Sequence, residues 1–152
     1  MALDPGLVGR SYPPSAVYEV GRAKIAEFAA AIGATDPVHT DADAARAAGY
    51  ADVIAPPTFA IVVSLEAAMA VLQDPAVALD YDRVVHGEQR FAYTRPVRAG
   101  DLLTVVVTVD SIRSAAGNDI LTTRGEVSTV DGEHVVTAWS TLVARGTAGG
   151  DA

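Results

Sequence analysis

From Pro57 to Leu72 the chain runs through sixteen residues that are apolar on nearly every side of a helix, with Ser64 and Glu66 the interior exceptions. Pro57 suits a first helical position, where its missing N–H is no loss and its φ is already helical. A helix without a polar face has to be surrounded, so this segment demands a wrapping layer. At about 1.5 Å per residue it spans ~24 Å, short of the ~20 residues that cross a bilayer. The expectation is a core helix and no membrane partner.

The residues after Asp80 supply the wrapping. Segments 84–94, 102–112, 120–130 and 134–144 are long and rich in Val, Thr and Ile, and Gly-containing turns separate them. Asp131-Gly132 reads as a two-residue hairpin turn with positive φ at both positions. The segments are expected to form a four-strand antiparallel meander. Upstream, Tyr18-Glu19-Val20 reads as a short strand. Ile25, Phe28, Ala29 and Ile32 recur at helical spacing before a stop at Gly33, and Asp41 to Arg46 forms a second short helix ended by Gly49. The fold class is α+β, one domain over residues 1–145, with 146–152 a flexible Gly/Ala-rich tail.

Charge and composition narrow the function classes. Against 19 acidic residues stand 11 scattered basic ones, a net charge of −8, so there is no basic stripe for nucleic acid. There is no cysteine, hence no disulfide, thiolate ligand or cysteine nucleophile. Three distant histidines argue against a metal site, and no cofactor is implied. The opening Met-Ala-Leu-Asp-Pro has neither a basic region nor an apolar run, so a cytoplasmic location is expected.

The candidate chemistry lies on the loop Gly33-Ala34-Thr35-Asp36-Pro37-Val38-His39, which holds a carboxylate and an imidazole three residues apart. Either Asp36 and His39 form an acid/base pair, or Asp36 is a turn and cap residue and His39 a loop histidine. Glu66 offers a carboxylate for hydrolysis within the apolar helix. His86 reads as a structural strand residue, and His134, after the Asp131-Gly132 turn, as a solvated strand end. Arg95 and Arg98 are either phosphate contacts or a solvated strand end.

The segments Val8-Gly9-Arg10, Asp52-Val53-Ile54-Ala55-Pro56-Pro57-Thr58-Phe59, Val85-His86-Gly87-Glu88-Gln89-Arg90-Phe91 and Arg95 through Asp101 carry a resemblance over nearly the whole chain. The chain resembles the MaoC-like dehydratases and (R)-specific enoyl-thioester hydratases. Within that group it is similar to the actinobacterial proteins placed with the A-type subunit of the (3R)-hydroxyacyl carrier-protein dehydratase. The resemblance implies the hot-dog fold, a long helix wrapped by an antiparallel sheet, and reversible hydration of an enoyl thioester of coenzyme A or an acyl carrier protein. It also implies a dimer, with itself or with a homologous subunit.

Catalytic members of that family carry Asp-x-Asn-Pro-x-His. Laid on this chain without gaps, the histidine is His39 and the proline Pro37, while Asp36 stands in the asparagine place and Ala34 in the aspartate place. The family also commonly has a glycine at the helix start, whose N–H polarises the thioester carbonyl. Here that position is Pro57, which has no N–H. The amides of Thr58 and Phe59 are the remaining candidates for that oxyanion role. Phe59, Ile61, Val62 and Val63 are the candidate acyl-binding residues. Three readings follow: a dehydratase or hydratase subunit, a non-catalytic acyl-binding subunit of a heterodimer, and a thioesterase using Glu66.

Overall fold

The chain is described by a computed structural model over residues 2–148. A short strand β1 (Tyr18–Glu19) precedes helices α1 (Arg22–Ile32), α2 (Ala42–Ala47) and α3 (Ala60–Leu72), and four long strands follow: β2 (Val84–Tyr93), β3 (Leu102–Ala115), β4 (Asn118–Thr129) and β5 (His134–Ala144). All pairings are antiparallel, in the order β1-β3-β4-β5-β2. Helix α3 packs across β3, β4 and β5, and this is the α+β hot-dog arrangement. Among the described residues no helix is long and apolar enough to cross a membrane.

The alternation that marks these strands also aims them. Val105, Val107 and Val109 of β3, Leu121 and Val127 of β4, and Val136 and Ala138 of β5 are buried on the helix side. Gly125 lies where α3 crosses: an added Cβ would stand 3.2 Å from Val105 Cγ1 and 4.0 Å from Ser64 Cβ. Its missing side chain lets the helix sit close to the sheet.

Four local expectations need correction. The strands do not form a simple meander, because β2 pairs with β5 along its whole length, across the sheet from its successor β3. Strand partnership is settled by the packed whole, and alternation alone carries no record of it. Helix α3 starts at Ala60 rather than Pro57. Residues 57–59 form a turn in which the Phe59 amide reaches back to the Pro56 carbonyl at 2.9 Å. Nor is α3 enclosed on all sides. Ala60, Val63, Ser64 and Val71 are buried, whereas Leu65 is 49% exposed and Glu66 faces out.

The last correction concerns turns. Asp131 keeps negative φ; Gly132 alone is left-handed, at +92°, closing a three-residue loop between Thr129 and Glu133. The two-residue turn with both φ positive lies instead at Ala116-Gly117, at +50° and +77°, between β3 and β4. Of the expected tail, Gly146 donates its amide to Asn118 Oδ1 and Thr147 its hydroxyl to the Ala144 carbonyl. Residues 149–152 of that tail lie outside the described residues.

Candidate active site

Helix α1 ends where the sequence places its stop. Gly33 takes a left-handed φ of +72°, and its amide and that of Ala34 return to the last turn. The chain then passes through Asp36 into a single helical turn, Pro37–His39. Asp36 Oδ1 accepts the Val38 amide at 3.1 Å, so the carboxylate does cap this turn. His39 is 8% exposed, and its Nδ1 lies 2.6 Å from the Ile54 carbonyl. That carbonyl can only accept, so Nδ1 carries the hydrogen and neutral His39 presents a bare Nε2. Among the described residues Nε2 and Asp36 Oδ2 have no hydrogen-bond partner.

Asp36 and His39 line one cavity of about 630 Å³, walled further by Ile54, Pro57, Tyr93 and Arg95. That volume is ordinary for a small-molecule site. The residue facing α1 in the family's aspartate place, Ala34, brings no acid to it.

Pro57, in the turn before α3, also lines this cavity. Pro57 has no N–H, and the Phe59 amide is committed to the Pro56 carbonyl. The Phe59 ring is fully buried, edge-on to Phe28 at 5.4 Å. Thr58 is exposed, and among the described residues its amide has no acceptor. Of the two expected oxyanion donors, only Thr58 keeps a free N–H.

The four expected acyl-binding residues do not share a wall. Phe59 sits in the core, and Val62 packs against it. Ile61 lines a cavity of about 360 Å³ with Leu65, Leu72 and His86, and Val63 lines a groove with Glu66 and Tyr18. Successive helical residues point ~100° apart, so a run such as 59–63 fans around the axis, whereas Ile61, Leu65 and Leu72 stack on one side. Glu66 thus borders a different cavity from His39.

Arg95 is committed to two carboxylates. Its guanidinium donates to both oxygens of Asp101 at 2.9 Å, and to Glu133 at 2.8 and 3.1 Å. These bonds raise the Arg95 pKa above its ordinary value and hold Glu133 below the usual carboxylate range. Arg98 lies on the exposed side of Asp101, at 3.7 Å. The clamp ties the crossover after β2 to the β4–β5 turn. It occupies the cation that sequence reading offered to a phosphate.

Two features escaped sequence reading. Tyr93, the last residue of β2, reaches the helix start, where its hydroxyl donates to the Pro57 carbonyl at 2.5 Å. Burial pushes its pKa up to about 12, an effect the nearby Ala60 amide only partly offsets. Gln89, Phe91 and Tyr93 alternate along β2, so strand parity could have placed Tyr93 on the helix side. His134, read as a strand end, bonds Thr94 Oγ1 at 2.7 Å and Glu126 Oε2 at 3.1 Å. His86 meets Gln89 Oε1 at 3.1 Å, away from His39.

Comparison with known proteins agrees with this fold. The family model described as "FAS1-like, dehydratase domain region" matches residues 6–138. A UPF0336 protein of Streptomyces coelicolor is 63% identical over 145 residues, 95% of this chain and 97% of that protein. One of Thermobifida fusca is 51% identical over 97% of each. The truncated HadBC (3R-hydroxyacyl-ACP dehydratase) complex of Mycobacterium tuberculosis contains a similar chain, with TM-score 0.80 and 31% identity over 90% of this chain and 96% of that one. A MaoC-like dehydratase superposes with TM-score 0.84 and 34% identity over 91% of this chain, which spans 42% of that longer one. The chain therefore belongs to the FAS1-like dehydratase-region family of hot-dog proteins, related to the hydroxyacyl-ACP dehydratases and the MaoC-like dehydratases.

Proposed function

We propose that this chain is a subunit of a (3R)-hydroxyacyl-thioester dehydratase, equally an (R)-specific enoyl-thioester hydratase, with Asp36 and His39 as its acid/base pair. The observation that carries the reading is the His39 side chain. Its Nδ1 is anchored on the Ile54 carbonyl and its Nε2 has no partner among the described residues, in a cavity it shares with the Asp36 carboxylate. In hydration, His39 Nε2 takes a proton from water as the oxygen adds to the β-carbon. The electron pair moves through the α-carbon to the thioester oxygen, and a proton returned to the α-carbon completes the addition. Asp36 holds the water and shares the proton traffic.

The acyl carrier, coenzyme A or an acyl carrier protein, binds with help from a homologous subunit. Among the described residues no strand pairs with the outer edge of β2 over its ten residues, and Val85 there is 41% exposed; long bare edges are normally closed by another strand. The related HadBC dehydratase is a complex. Size measurement in solution checks this point: a dimer is expected, and a monomer at micromolar concentration without any partner contradicts it.

A second reading, an acyl-binding subunit that leaves the chemistry to its partner, is favoured by Ala34 and Pro57. Hydration of crotonyl thioester by the purified chain, alone and with a homologous subunit carrying intact Asp-x-Asn-Pro-x-His, separates the two. Turnover lost in His39→Ala supports catalysis here. Turnover that comes only with the partner, and is indifferent to His39, supports the second reading.

A further inference from the structure

Resting on the hydratase reading of the same cavity, we propose that the Tyr93 hydroxyl is the hydrogen-bond donor to the substrate's thioester carbonyl, in place of the backbone amide that Pro57 removes.

An oxyanion site needs donors already aimed at the place where charge develops. The start of α3 is poorly equipped with them. Pro57 has no N–H, and the Phe59 amide is spent on the Pro56 carbonyl. Among the described residues the Thr58 amide has no acceptor, but Thr58 is not among the residues walling the His39 cavity, and the Ala60 amide is turned to the Tyr93 hydroxyl. Tyr93 is among them, together with Asp36, His39 and Pro57. Its hydroxyl lies against the first turn of α3, near the Ala60 amide, and bonds the Pro57 carbonyl. The hydroxyl thus brings a side-chain donor to the same turn that lacks the Pro57 amide, on a wall of the cavity that holds His39.

The hydroxyl is suited to the work. It arrives on a strand rather than a loop, at the end of β2 where Tyr93 pairs with Val136. Its ring leans on Phe91 with centroids 6.2 Å apart. A phenol keeps its proton throughout the neutral range, and burial here extends that range upward, so it donates without ionising. On substrate binding the O–H turns from the Pro57 carbonyl to the thioester oxygen. No covalent bond to Tyr93 forms, and its proton remains on the phenol as the enolate forms and collapses.

The test reads the carbonyl directly. Butyryl-coenzyme A labelled with ¹³C at the thioester carbon cannot be hydrated, and its carbonyl stretch falls in frequency when a donor engages it. The expected result is a downshift on the wild-type full chain, with its homologous subunit supplied, that is lost in Tyr93→Phe, with kcat for crotonyl-coenzyme A hydration falling ~10²- to 10³-fold and KM changing less. Tyr93→3-fluorotyrosine keeps the ring and the bond and lowers the phenol pKa, so it should enlarge the downshift even if Tyr93→Phe folds poorly. A downshift that persists in Tyr93→Phe, or is absent from bound wild type, overturns the assignment. Failure of the thioester to bind at all, with the homologous subunit supplied, overturns both this and the hydratase reading. Loss of the downshift in Tyr93→Phe, with wild-type hydration rates in His39→Ala and Asp36→Asn, leaves Tyr93 as the carbonyl donor and sinks the acid/base roles alone.

Discussion

Two charged clusters meet the cavity of Asp36 and His39, one of them through Arg95 alone, and they are built in opposite ways. In one, Arg95, Asp101 and Glu133 spend their charge on one another: the guanidinium donates to both carboxylates, and Asp101 Oδ2 also takes the Arg98 amide at 2.9 Å. In the other, Asp36 uses one oxygen to cap a turn and His39 one nitrogen to hold the Ile54 carbonyl. Among the described residues the second polar atom of each has no partner, and both residues line the cavity. The first cluster is made to hold the crossover after β2; the second is held by its own small anchors and left with capacity to react. Charge saturated by partners serves the fold, and charge half-satisfied at a cavity is available for chemistry.

The widest difference between the two clusters should appear in stability. The Arg95 side chain is 16% exposed and that of Asp101 5%, so Arg95→Met strands a desolvated carboxylate, and breaking such a pair costs ~3–5 kcal/mol. Urea unfolding should show that loss in the midpoint. His39→Ala should cost ~1–2 kcal/mol, because the Ile54 carbonyl loses its donor. Asp36→Asn should stay within ~0.5 kcal/mol, since asparagine caps as well as aspartate. A Asp36→Asn variant as unstable as Arg95→Met would erase the distinction.

A smaller effect lies in acid. Asp119 is fully buried. Burial pushes its pKa up, but the Ser114 hydroxyl at 2.6 Å and the Leu3 amide at 3.1 Å help bring it below its ordinary value. A carboxylate depressed in the folded state stabilises above its unfolded pKa of ~3.9, and that contribution is lost as pH falls through the folded value. Stability should therefore drop on acidification below about pH 4, and Asp119→Asn should drop less steeply. Equal slopes would show that the Asp119 contacts carry no such linkage.

Much of the local structure was legible in the residues. The Gly33 stop, the Asp41 cap and the four strands declare themselves through spacing and turn chemistry, and these are interactions between neighbours in sequence. The loop carrying Asp36 and His39 was equally plain. What was hidden depends on residues far apart. Strand β2 finds β5 rather than β3, Arg95 finds Glu133, and Tyr93 finds Pro57, 36 positions away. Asp131-Gly132 misled for a different reason. The motif permits a two-residue turn but does not require one, and the strands here close over three residues.

The most direct test of the account is the hydration rate of crotonyl-coenzyme A by the full chain, with its homologous subunit supplied, measured for wild type, His39→Ala and Asp36→Asn. Removal of an acid/base group should lower kcat by ~10²-fold or more in each variant while the fold and the assembly persist. Undiminished turnover in both variants would contradict the placement of the chemistry on this chain.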